Sequence, residues 1–189
     1  MFKNVMKLFY NRITFWILLA GTAIMLPVMF LSGRPLNTPE TPRGILCLEF
    51  ANSAQKVNNI LSSWETRSTT ERDIIVAAKV NTCLDFVFLL FYSLFLFTAC
   101  RQLVAAMPGK KIFSLILHMA SVFALIAGLL DIFENIGMLK SLDGHVSDQV
   151  AINTVTFATI KWLLVLAVIL FIAGGSLYRY LVKRREAYN

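Results

Sequence analysis

Four apolar stretches decide what this chain can fold into. A helix needs about 20 consecutive apolar residues to cross a bilayer. The sequence supplies four such runs, at about 13–31, 81–100, 112–130 and 159–178. The first and third carry no charge, the second contains Asp85, and the fourth holds Lys161 near its start. Composition agrees with this reading. Of 189 residues, 57% are hydrophobic and 15% charged, against about 45–50% and about 25% in soluble domains. A water-soluble domain of this size has too much surface per volume to hide that much apolar area. Disorder, collagen-like repetition and a disulfide-rich secreted scaffold are excluded as well. The expectation is an all-α integral membrane protein, a single membrane domain over 1–189.

Lys3, Lys7 and Arg12 precede the first run, as in the basic start of a signal peptide. That run exceeds the roughly 7–15 apolar residues of a signal peptide, and no A-x-A-like site follows, so it reads as a retained helix. Pro27 lies near its end and predicts a kink.

The net charge of +7 invites a nucleic-acid reading, but its placement argues otherwise. Lys3, Lys7, Arg12, Arg101, Lys110, Lys111, Arg179, Lys183, Arg184 and Arg185 sit on one side of the predicted membrane with a single acid, Glu186. The remaining eight basic and ten acidic residues fall on the other side or at the outer helix ends. By the positive-inside rule both termini are cytoplasmic, in a plasma (inner) membrane, and no nucleic-acid partner is expected. Short connections make sequential helices antiparallel neighbours, which predicts an up-down-up-down four-transmembrane-helix bundle.

The external segment 32–80 is expected to be partly helical. Pro35, Pro39 and Pro42 keep its start extended. The apolar run 44–50 reads as a strand or an extended strap. The stretch 51–64 reads as an amphipathic helix, with Ser53 as N-cap and Val57, Ile60, Leu61 and Trp64 at helical spacing. Ser68-x-x-Glu71 matches a capping box and predicts a helix from about Thr69 into the second span. The third span is predicted to continue to Asp143-Gly144, and the fourth to begin near Val150.

The scarce charges are the strongest functional clue. Asp85 lies about one turn inside the outer end of span two, Asp131 just beyond span three with Glu134 and Asn135 a turn further, and Lys161 in the first turn of span four. At about 1.5 Å rise per residue these groups reach similar heights. Asn81 is one turn above Asp85 on the same face, and Glu49 is placed to add a carboxylate from above. Ionisable residues inside a span usually face the bundle interior or a wet cavity and mark a function. One ammonium neutralises one carboxylate; the surplus favours a bound cation or proton. The alternative is structural, with Asp85 and Lys161 pairing to fix helix register and the others lying at the water interface.

Asp131-x-x-Glu134 also places two carboxylates on one helical face, so a metal, if any, would be held by Asp85, Asp131 and Glu134. The di-iron Glu-x-x-His pattern is missing, with Gly137 at the histidine position. His118 is too far along its helix to join the cluster and is expected to bond a neighbouring helix. Tyr92, two turns below Asp85, is placed to floor a polar pocket. Cys47 and Cys83 both fall on the outer side, where a disulfide is allowed, and Cys100 reads as a free thiol. No nucleophile elbow, P-loop, zincin or dinucleotide motif is present, and the sequence leaves any cofactor unknown.

Leu48-Glu49-Phe50, Ser63-Trp64, Leu84-Asp85-Phe86, Leu129-Leu130-Asp131 with Glu134-Asn135, and Lys161-Trp162 occur in that order. Together they resemble a loosely defined group of uncharacterised bacterial four-span integral membrane proteins. The resemblance implies the same architecture and assigns no catalytic residue.

The leading expectation is an outward-facing pocket for a cation or small polar ligand, with transport as one reading of its role, built from Asp85, Asp131, Glu134 and Lys161, with Asn81, Asn135 and Glu49 on its walls. The alternatives are an intramembrane metal-dependent hydrolase of lipid headgroups, and a structural or assembly protein with no ligand. The bilayer is an expected partner, and four spans are few for a monomeric transporter, which makes a homo-oligomer a further expected partner.

Overall fold

The computed structural model describes residues 9, 11–69, 73–107 and 111–186. Its regular elements are helices: α1 (Arg12–Gly33), a single 3₁₀ turn (Arg34–Leu36), α2 (Ile45–Glu49), α3 (Ala54–Arg67), α4 (Ile74–Ala105), α5 (Lys111–Leu142) and α6 (Asp148–Glu186). Helices α1, α4, α5 and α6 are long and apolar enough to cross a membrane. All four sequence-predicted spans are therefore found, and each helix runs beyond its apolar run. Helices α4 and α5 have 32 residues each, or about 48 Å at the usual rise. A bilayer core is about 30 Å thick, so both helices have length to spare. Pro27 sits inside α1.

The buried residues of α5 explain how the long helices meet. Leu117, Ala120, Ser121, Ala124, Ala127, Gly128, Asp131, Glu134, Asn135, Met138, Ser141 and Leu142 recur three and four residues apart and form one continuous stripe. Its middle is made of small side chains. Where lipid is as apolar as the protein, close backbone approach drives helix association. A Cβ at Gly128 would overlap Ser93 of α4, and one at Gly137 would overlap Thr154 of α6. Contacts of α5 with α6 run in opposite chain directions, from Phe113–Tyr178 at one end to Phe133–Phe157 towards the other. Helix α1 packs on α4 in the same antiparallel sense: Phe15 meets Phe95, and Asn81 bonds the backbone of Met29.

The segment between α1 and α4 covers one end of these helices. Gly44 adopts φ 57°, a conformation that side-chain-bearing residues disfavour, and turns the chain into α2. This corrects the strand or strap expected over 44–50. An apolar run this short has no decisive period, and the turn at Gly44 sets it as a five-residue helix that buries Leu48 and Glu49. Helix α3 has the expected cap, the Ser53 hydroxyl accepting from the Lys56 amide at 3.3 Å, but starts and ends three residues later than predicted. The helix predicted from Thr69 begins only at Ile74, capped by Asp73, which accepts from the Val76 amide. Glu71 lies outside the described residues. The Ser68 hydroxyl instead accepts from the Ile74 amide at 3.0 Å and donates to the Trp64 carbonyl at 2.9 Å, closing the turn between α3 and α4. Cys47, Cys83 and Cys100 are all free, so no Cys47–Cys83 disulfide forms.

Trp64 anchors this cap. It is fully buried with Leu36, Leu48, Val57, Ile74, Met138 and Leu142, and its indole N–H lies 2.9 Å from the Thr41 hydroxyl and 3.2 Å from the Leu36 carbonyl. Its role is packing. At the rim the Arg67 guanidinium forks onto Glu40 at 2.6 and 2.9 Å. That hydrogen-bonded pair holds the Glu40 carboxyl at about 2, below its ordinary 4.5. A carboxyl with a lowered native pKa adds stability above its unfolded pKa and loses it as pH falls through the native one. The contribution of this tie is therefore full above pH 4.5 and lost as pH falls towards 2.

Truncating Trp64 to Ala is expected to cost about 3–5 kcal/mol of stability, measured by denaturant unfolding in mild detergent, whereas Trp64→Phe should lose only about 1–2 kcal/mol with the indole hydrogen bonds. An NMR titration of the Glu40 carboxyl should give a midpoint near 2 that returns towards 4.5 in Arg67→Ala.

Candidate functional site

Just beneath the cap, polar side chains from α2, α4, α5 and α6 meet. Asp131 and Glu134 continue the buried stripe of α5, and Lys161 projects from α6 onto the same face. The Lys161 ammonium lies 2.7 Å from Glu134 Oε2, 2.9 Å from Asp131 Oδ1 and 3.4 Å from Glu49 Oε1. All four residues are buried, with Lys161 only 6% exposed. The second oxygen of Asp131 accepts from the Tyr92 hydroxyl at 2.7 Å. The Trp162 indole donates to Glu49 at 2.6 Å, and the Asn135 amide donates to Asp85 Oδ2 at 2.7 Å.

The predicted residues therefore gather, with particular divisions of labour. Glu49 is delivered by α2 and binds Lys161 directly. Asp85 is tied to Asn135. Asn81 lines the same cavity, yet its NH₂ group donates to Ser32 at 2.7 Å and Met29 at 3.1 Å of α1. Tyr92 meets the cluster from below, as its spacing suggests. Trp162 is the member of this cluster that sequence reasoning missed; its place next to Lys161, at the level where amphipathic aromatics collect, was the available signal. His118 corrects the expected bond to another helix: its Nδ1 lies 2.7 Å from the Ser114 carbonyl of its own helix. That local bond engages Nδ1 within its own helix.

The charges do not balance. Four carboxylates (Glu49, Asp85, Asp131, Glu134) surround one ammonium. Buried charge is costly unless paired, so the site favours added positive charge. The unmet hydrogen-bonding capacity has the same sign. The amide oxygens of Asn81 and Asn135 are buried and have no hydrogen-bond partner. Their orientation is fixed by the opposite NH₂ group, which must face the Met29 carbonyl and the Asp85 carboxylate. Among the described residues no group of three His, Cys, Asp or Glu is arranged to hold a metal ion. The position between Glu49, Asp131 and Glu134 is filled by the Lys161 ammonium.

A cavity of about 460 Å³ opens beside the cluster, within the usual range of about 300–1,000 Å³ for small-molecule sites. Glu49, Asn81, Asp85, Asp131, Glu134 and Lys161 line its head; Leu26, Phe88, Phe95, Val165 and Ile169 line its body. Compared with known proteins, the chain matches no protein-family model, no curated protein and no solved structure.

Replacing Lys161 with Met should cost about 3–5 kcal/mol of stability, because its carboxylate partners stay buried without a cation. Adding Asp131→Asn and Glu134→Gln to that variant should recover part of the loss in the same unfolding assay.

Proposed function

We propose that this protein is an up-down-up-down four-helix protein of the plasma (inner) membrane, both termini cytoplasmic, that binds a small ligand carrying positive charge and hydrogen-bond donors in an outward-facing pocket. The carrying observation is the match of sign at the cavity head. One ammonium stands against four carboxyl groups, and the unpartnered buried amide oxygen of Asn81, a residue lining the cavity, is an acceptor. A ligand with an ammonium group and its N–H donors meets both demands at once. This reading is favoured over metal-dependent hydrolysis because Lys161 already fills the centre of the carboxylate group. It is favoured over a purely structural ion pair because the cluster borders an open cavity.

The orientation follows the charge distribution, ten basic residues and one acid on the side that holds the termini. The site then lies near the outer boundary, beneath α2 and α3.

Ethylammonium, titrated against the full chain in neutral detergent, should raise the melting temperature in a saturable manner. Potassium at equal ionic strength should not. The Asp85→Asn variant should weaken the ethylammonium effect by about tenfold in apparent affinity, the loss of one charge-assisted contact. An ethylammonium response no larger than that of potassium overturns the proposal.

A further inference from the structure

Below its acidic head the cavity turns apolar. Phe95 lies ten residues from Asp85 along α4, and Ile169 eight from Lys161 along α6, placing the apolar body about 12–15 Å from the head by helix rise. A wholly polar ligand would leave this trough without partners, and a polar group placed in it pays its full desolvation cost. The walls are also open at the side. Leu26 of α1 is 55% exposed, and Trp162 and Ile169 of α6 are 50% and 47% exposed, although all three line the cavity. Helix α1 is held chiefly by α4, and α6 chiefly by α5. The trough thus runs over α4 between α1 and α6, neither of which is the other's main packing partner. On helices that cross a membrane, those exposed apolar rims face lipid.

We propose that the ligand is a long-chain amine taken laterally from the bilayer, its ammonium seated among Asp85, Glu134 and the free Asn81 oxygen, and its alkyl chain lying in the trough between α1 and α6. This rests on the cationic-ligand reading above and adds the tail and the route. Charge complementarity selects the head: a phosphate-bearing lipid would bring negative charge beside four carboxylates whose ammonium is already engaged. Donor chemistry selects further. A primary ammonium offers N–H groups to the Asn81 oxygen, which is buried and unpartnered, whereas a trimethylammonium head offers none.

The test uses the full chain in phosphatidylcholine nanodiscs, with tryptophan fluorescence and thermal unfolding as readouts, since Trp162 lines the trough. The probes are dodecylammonium, dodecanol, dodecyltrimethylammonium and ethylammonium. Dodecylammonium should bind at least about tenfold more tightly than ethylammonium, a modest part of what an apolar chain contributes. It should also bind more tightly than dodecanol and dodecyltrimethylammonium. Ile169→Trp, or Leu26→Trp should the first fail to fold, fills the trough and should abolish the advantage of the long chain. Ethylammonium binding with no gain from the dodecyl chain, or an advantage that survives both trough-filling variants, overturns the lateral amine site and leaves the cationic pocket standing. No response to either amine overturns both. Dodecanol binding as tightly as dodecylammonium overturns the acidic head as the recognition element.

Discussion

The Lys161 ammonium is the interaction on which the rest of the structure depends. It joins α6 to α5 through Asp131 and Glu134, and to the covering segment through Glu49. Inside a low-dielectric region such a contact is strong only while every member keeps its partners. Tyr92 and Trp162 supply those partners from α4 and α6. A single cation therefore fixes the depth of two long helices and the seat of α2. Elsewhere the helices meet through small side chains on α5 and through aromatic pairs such as Phe113–Tyr178 and Phe15–Phe95.

The same cation leaves the site unfinished. Asp85, which lines the cavity, accepts from the Asn135 amide and makes no ion pair with Lys161 among the described residues. The cluster thus holds more carboxyl groups than cations, and Asp85, Glu134 and Asn81 of it line the cavity. The apolar trough lies beside it, so acidic and apolar walls belong to one cavity.

Much of the fold was legible because lipid imposes a simple demand on sequence. Apolar runs of sufficient length must be helices, since backbone groups have no water to bond. The Ser53 cap, the packing role of Trp64 and the overrun of the third span to Asp143-Gly144 follow from equally local rules. The misreadings lie where local rules compete. Residues 45–49 are too few to show a period, and the turn at Gly44 decided them. The capping-box match at Ser68 was real as a hydroxyl seeking an amide, but the amide it found was that of Ile74. His118 looked available to a neighbour, and its Nδ1 bonds the Ser114 carbonyl of its own helix.

For the candidate site, the sequence by itself determined which residues were expensive. Asp85, Asp131, Glu134 and Lys161 stand at one depth on three helices, a consequence of the fixed rise per residue. Only the tertiary structure decided how they divide their partners. Lys161 takes Asp131, Glu134 and Glu49, Asp85 is left to Asn135, and Asn81 turns half of its amide to α1. Rotation about each helix axis, and the sideways placement of α1 against α6, are set by packing between helices rather than by the spacing of apolar residues. In a chain whose lipid-facing and inward-facing sides are both apolar, hydrophobic periodicity does not report which way a side chain points. The cavity and its lateral opening exist only at that level.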